Sequence, residues 1–279
     1  MSEKEIIIDV TSKCVMNCMY CGTTSFSDEI SNIDFELFKK IVNSLRYLSK
    51  TRVFLGGGTF FCHPEWKKML ELIKSNENTF VIDCPLEKNI INIICKNRPV
   101  RFNYFPSISL WGIGDEHDKL CGGNSFGLLD HYIRSHSKWG IPLHLSFVMT
   151  KSLIQQVRSL IEFMCKLPLG ANIYFHRFMP VGKALGEDLP TMESLQDFKN
   201  EVLYGISKTA VAKFHHTLDG ICKAAGNSRI FINHDGLVYK CGWINKTSVP
   251  IYNLHEKSII DFNKLFQKAT PVNTQCVLK

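Results

Sequence analysis

The sequence predicts an α/β fold built on a parallel sheet, because six short apolar runs of strand character alternate with amphipathic helical stretches. The parallel sense follows from the connections: each is long enough to hold a crossover helix, and such crossovers are right-handed. Position agrees with pattern. The cysteine loop and the glycine run directly follow the first two strands, at the carboxyl edge where such sheets carry functional groups.

Glu5 to Val10 reads as a short buried strand leading into Cys14. From Asp34 to Leu48 the apolar residues Leu37, Phe38, Ile41, Val42, Leu45 and Leu48 recur with helical period. Arg52 to Leu55 is the second strand. The unit then repeats: helix Glu65 to Ser75, strand Thr79 to Asp83, helix Leu86 to Cys95, strand Val100 to Leu110. Strands Leu143 to Met149 and Asn172 to His176 alternate with helices Phe126 to Trp139 and Leu153 to Lys166. Pattern alone leaves an open doubly wound sheet and part of a barrel equally open.

The alternation stops at the Gly- and Pro-punctuated stretch Pro180 to Pro190. A helix near Met192 to Ser207 follows, and then Arg229 to Asn233 and Leu237 to Cys241 flank His-Asp-Gly, the chemistry of a hairpin turn. A boundary near residue 190 is expected, dividing residues 1–190 from 191–279.

Composition narrows the function classes. A chain of 279 residues with 45% hydrophobic content can bury a sizeable core. The net charge of +7, from 33 basic and 26 acidic residues, is scattered, which disfavours nucleic acid as a partner. No run reaches the roughly 18 apolar residues of a membrane span, and no signal peptide opens the chain, so a cytoplasmic protein is expected. Eleven cysteines, an odd number, argue for metal ligation or reactive thiols over a disulfide framework.

Cys14, Cys18 and Cys21 stand in Cys-x3-Cys-x2-Cys spacing on one loop. Three thiolates so placed can hold three irons of a 4Fe-4S cluster and leave the fourth open. A structural zinc site or free buried thiols are the plainer alternatives, although zinc wants four ligands and no histidine is near. With Tyr20 before the last cysteine, the loop resembles that of the radical S-adenosylmethionine (SAM) enzymes. The resemblance implies that the open iron chelates the amino and carboxylate groups of SAM, and that one electron cleaves its sulfonium to a 5'-deoxyadenosyl radical.

Further motifs carry the same resemblance. Gly56-Gly57-Gly58-Thr59, followed by His63-Pro64-Glu65, is similar to the family's glycine-rich SAM-binding segment, with Thr59 at its acidic position. Ile108-Ser109-Leu110-Trp111-Gly112 and then His117-Asp118 resemble the end of strand four in the SPASM and twitch subgroup. The resemblance makes Ser109 a SAM contact; Trp111 replaces an aspartate. Arg177 to Lys183 resembles the stretch after strand six that packs on adenine, which makes Met179 a contact. Cys222, followed by Gly236 and Cys241, resembles the opening of the auxiliary-cluster domain, and Cys276 is the remaining late cysteine.

The resemblance implies a partial (β/α)6 TIM-like barrel with a small C-terminal twitch or SPASM-like extension. Its metal ligands would be Cys14, Cys18 and Cys21, with Cys222, Cys241 and Cys276 for an auxiliary 4Fe-4S cluster; Tyr20, Gly57, Gly58, Thr59, Ser109 and Met179 would bind SAM. Flavodoxin or ferredoxin would be the reductant. A peptide or small natural product would be the substrate, a peptide needing a separate recognition protein because little chain precedes strand one. A non-catalytic iron-sulfur sensor or scaffold is the competing class. Cys84, in Asp83-Cys84-Pro85 at the end of strand three, is a candidate hydrogen donor to a substrate radical, against the plainer reading of a small core residue. Cys95 and Cys165 read as core, and His63, His117 and His144 as structural.

Overall fold

A computed structural model describes residues 4–22, 29–48, 51–99, 103–179, 181–184, 189–206, 210–215, 218, 223–224, 228–242, 249–256 and 260–268. Six parallel strands follow one another in the sheet: β1 (Lys4–Thr11), β2 (Thr51–Gly57), β3 (Thr79–Pro85), β4 (Tyr104–Leu110), β5 (His144–Met149) and β6 (Ala171–Arg177). Helices α1 (Phe35–Ser44), α2 (Trp66–Lys74), α3 (Lys88–Lys96), α4 (Asp115–Cys121), α5 (Leu128–His136), α6 (Lys151–Gln155) and α7 (Val157–Cys165) fill the crossovers. This is the α/β parallel sheet that the alternation predicts, in the partial-barrel form that the resemblance implies.

Side-chain alternation divides the sheet. Ile6, Ile8 and Val10 of β1, Val53 and Leu55 of β2, and Phe80 and Ile82 of β3 pack with Phe38, Ile41, Met69, Ile73 and Ile90 of the helices. Each such side chain contributes roughly 1.5–3 kcal/mol on burial. The other face carries Ile7, Asp9, Phe54, Asp83, Ser109 and Tyr174, most of them partly open to solvent. That bare inner face is where a ligand can lie.

The sheet continues past residue 190. Helix α8 (Met192–Gly205), capped by the Thr191 side chain on Ser194 N, leads into β7 (Ala210–Phe214), which pairs parallel with β6. At the opposite edge β8 (Arg229–Ile232) pairs parallel with β1, and β9 (Leu237–Tyr239) and β10 (Tyr252–Asn253) add antiparallel. The expected hairpin is therefore present, with Gly236 at φ +75° in its turn. Its first strand closes on β1, which sequence pattern does not reveal. Glu5 fixes that pairing: Arg229 Nε donates to its carboxylate at 2.8 Å, and Lys223 also pairs with it. Helix α9 (Phe262–Lys268) returns to pack Phe262, Leu265 and Phe266 into the core.

One core expectation is corrected. Cys165 is exposed, because it ends α7 beyond the stripe of Leu160 and Met164 that faces inward.

Candidate functional site

The cysteine loop is clamped to the glycine run by main chain and by one hydroxyl. Gly58 N donates to Thr11 O at 2.6 Å and Thr59 N to Lys13 O at 2.8 Å. The approach admits no side chain: a Cβ at Gly58 would stand 2.1 Å from Lys13 O. At Gly57, φ is +95°, a conformation glycine adopts without penalty. Thr59 is fully buried, and its Oγ1 accepts from Val15 N at 3.4 Å and lies 3.3 Å from Cys14 Sγ.

Cys14, Cys18 and Cys21 are half-buried cysteines on this loop. Burial pushes the Cys14 thiol up, against the hydrogen bonds from Thr59 and Met16 N. Cys18 goes the other way: a hydrogen bond from the Cys121 thiol outweighs burial and favours its thiolate, while Cys121 is pushed far up. Cys121 is buried at the end of α4, and Leu120 O accepts from Met19 N at 2.7 Å, so α4 is tied to the loop. The far side of the loop is held by Lys183, whose N donates to Cys21 O and whose Nζ donates to Asn17 Oδ1 at 2.5 Å. Among the described residues no three His, Cys, Asp or Glu groups stand close enough to hold one ion. Three thiols in Cys-x3-Cys-x2-Cys spacing can hold three irons of a 4Fe-4S cluster, whereas structural zinc wants four ligands.

An aromatic wall stands beside the loop. The Tyr20 ring centroid lies 5.1 Å from that of Phe178 and 6.2 Å from that of Trp111. Trp111 is positioned by His117, whose Nδ1 accepts from Trp111 N at 3.2 Å and whose Nε2 meets Ser125 Oγ at 3.1 Å. That neutral, donor-acceptor use accords with its pKa, lowered to about 4 by burial.

The structure thus brings together Cys14, Cys18, Cys21, Tyr20, Gly57, Gly58 and Thr59. Ser109 lies on the inner face of β4, its Oγ 3.4 Å from Ser146 Oγ, and Met179 is buried after β6, next to Phe178. Cys84 is not among them. It packs in the helix-side core with Ile82, and its thiol donates to Ile82 O at 3.2 Å. Cys241 follows β9, half-buried; Cys222 and Cys276 lie outside the described residues. Cys121 follows the strand-four motif in sequence, near the family's arginine position; its hydrogen bond to Cys18 is what the sequence does not display.

Comparison with known proteins decides the family. Residues 8–149, just over half of the chain, match the radical SAM superfamily. The chain belongs to that superfamily. Membership of the radical SAM superfamily implies SAM and a 4Fe-4S cluster as cofactors. No curated protein sequence matches closely enough to count as a relative.

Among solved radical SAM and other structures, Streptococcus suis SuiB bound to SAM is similar over 95% of this chain and 65% of its own, with TM-score 0.76 and 14% identity. The chain therefore spans about two thirds of SuiB's length. anSMEcpe with bound AdoMet and a peptide is similar over 96% of this chain and 84% of its own, TM-score 0.63, 14% identity. Methylornithine synthase follows at TM-score 0.51 and 13% identity, over 75% of this chain and 72% of its own. These likenesses describe the fold.

Proposed function

We propose that this protein is an enzyme that cleaves SAM reductively and uses the radical to remove hydrogen from a peptide or small natural-product substrate. One arrangement carries the reading: three half-buried thiols on a loop at the carboxyl end of β1, stitched by backbone bonds to a glycine run that at Gly58 comes too close for any side chain. Cys14, Cys18 and Cys21 would hold the 4Fe-4S cluster, which when bound supplies the electron and the open iron for SAM.

The chain's own groups have definable tasks. Thr59 fixes Cys14 and Val15, so its hydroxyl serves the loop, and the amine of SAM is left to the open iron and to the backbone of Gly57 and Gly58. Tyr20, backed by Trp111 and Phe178, shields one side of the loop from water. Ser109 and Met179 are the SAM contacts further along the sheet edge. A flavodoxin or ferredoxin would supply electrons, in the cytoplasm.

Residues 1–190 would form the SAM-binding unit and 191–279 an extension in which Cys222, Cys241 and Cys276 hold an auxiliary 4Fe-4S cluster. SuiB bound to its precursor peptide SuiA and anSMEcpe bound to a peptide favour a peptide as substrate. The engagement of Thr59 with the loop also suits a second reading, an iron-sulfur protein that binds its cluster and leaves SAM intact.

An anaerobic iron and sulfide count tests the metal assignment: about four of each per chain for one cluster, about eight for two. Addition of SAM should then shift the electron paramagnetic resonance of the reduced cluster. A protein that takes up zinc and no iron would overturn the proposal.

A further inference from the structure

The inner face of the sheet carries two carboxylates that meet no partner among the described residues. Asp9 of β1 is 5% exposed, and Asp83 of β3 is half-buried. They flank one glycine: Asp9 is the register partner of Gly56, and Asp83 Oδ2 lies 3.5 Å from where a Cβ of Gly56 would stand. From the other side, Asp9 Cγ lies 3.2 Å from the Cβ position of Gly57. Asp83 thus borders the space left by the missing side chain of Gly56, and Asp9, opposite Gly56 in register, borders that of Gly57. The same row runs on through Ser107, paired with Asp83, to His144, whose buried Nδ1 also lacks a partner among the described residues.

No described donor or cation reaches either aspartate. Burial is the cause of pKa values raised to about 7 in both, and no charge or hydrogen bond offsets it. Contrast Glu5 on the same strand, which meets two cations and keeps its charge. With Asp9 buried and Asp83 half-buried, two carboxylates that meet no described partner beside one gap in the inner wall suit a cation from outside the chain.

We propose that Asp9 and Asp83 seat a primary ammonium of the substrate, so that the substrate is an amine-bearing molecule such as a peptide presenting a lysine-type side chain. The inference rests on the reading of the inner face as the substrate cavity of a SAM-cleaving enzyme. Within that reading the amine of SAM would be held at the open iron and by the backbone of Gly57 and Gly58, which leaves the space beside Gly56 to the substrate. An ammonium supplies three donors, and its charge-assisted bonds to carboxylates are about twice as strong as neutral ones.

The test uses reconstituted, SAM-loaded protein and the N-acetylated peptides acetyl-Gly-Gly-Lys-Gly-Gly and acetyl-Gly-Gly-norleucine-Gly-Gly, with affinities measured anaerobically by calorimetry. Wild type should bind the lysine peptide about 10- to 100-fold more tightly, the range expected for a hydrogen bond to a charged group. Asp9→Asn and Asp83→Asn should each erase most of that preference while SAM affinity and iron content stay at wild-type values.

Gly56→Ala, which meets only an ordinary contact, should lower the lysine preference by filling that space, and it serves if an aspartate variant does not fold. No lysine preference in wild type, or a preference that survives all three substitutions, overturns the seat. So does a loss of SAM affinity equal to the loss of peptide affinity, which would give that space to SAM. Unimpaired SAM binding beside a failed lysine preference leaves the SAM-cleaving reading standing.

Discussion

Gly58→Ala is expected to be the most damaging single methyl group near the cysteine loop. Its Cβ would meet Lys13 O at 2.1 Å and Lys13 C at 2.6 Å, and neither atom belongs to a side chain that can swing away. Overpacking of this kind costs about 1–3 kcal/mol. Relief requires β1 and the glycine run to part, which weakens Gly58 N to Thr11 O and Thr59 N to Lys13 O, about 0.5–1.5 kcal/mol each.

The expected loss is roughly 2–5 kcal/mol, or roughly 5–15 °C in Tm for a chain of this size. Thermal unfolding of the metal-free protein by circular dichroism, followed by an iron count after reconstitution, reads both effects. Gly56→Ala is the matched control, since its Cβ meets nothing closer than 3.5 Å. Equal Tm and iron content for the two variants would refute the claim that the glycine run clamps the loop.

Thr59→Val removes the acceptor of Val15 N and the partner of Cys14, and should cost about 1 kcal/mol and speed iron loss in air, followed by absorbance bleaching. Glu5→Gln breaks a buried pairing with Arg229 and Lys223 and should cost roughly 3–5 kcal/mol, seen as faster amide exchange over Arg229 to Ile232.

Although burial raises the Glu5 pKa, Arg229 and Lys223 lower it on balance, so its stabilisation holds above the ordinary carboxylate value and fades as pH falls through the folded one. His117, His136 and His144 are lowered to about 4 by burial, so each stabilises the neutral fold above pH 6.5 and loses this at about 1.4 kcal/mol per pH unit on the way down.

Asp9 and Asp83, raised to about 7, act oppositely: their contribution is present in acid and lost as pH rises through 7. The double variant Asp9→Asn/Asp83→Asn should therefore lose stability in acid more steeply than wild type, by about 2.7 kcal/mol per pH unit between pH 6 and 5. Urea midpoints at the two values check this; parallel behaviour would contradict it.

Periodicity made most of the framework legible. Leu37, Phe38, Ile41 and Val42 announce α1, and Asp34 caps it as its position suggests. Helix α4 escaped notice because its seven residues, Asp-Glu-His-Asp-Lys-Leu-Cys, open with four charged residues and a histidine before an apolar face appears. Strand β7 escaped because Val211 and Lys213 are exposed and its partner β6 lies more than thirty residues back. The pairing of β8 with β1 joins residues over 220 apart, a contact that no local pattern encodes.

The site divides the same way. Cysteine spacing displays Cys14, Cys18 and Cys21, whereas the bond of Thr59 to Cys14 and the reach of Cys121 to Cys18 depend on how separate strand ends meet. The aspartates were equally hidden. Asp9 and Asp83 read as ordinary strand-end residues until the register sets them on either side of Gly56.

The central claim is that the loop of Cys14, Cys18 and Cys21 supports reductive cleavage of SAM. The direct measurement is the yield of 5'-deoxyadenosine and methionine from anaerobically reconstituted protein under dithionite. Wild type should form both in equal amounts, and Cys14→Ala, Cys18→Ala and Cys21→Ala should each fall to the rate without protein. Intact SAM over an iron-loaded wild type, or cleavage that persists in the cysteine variants, would contradict it.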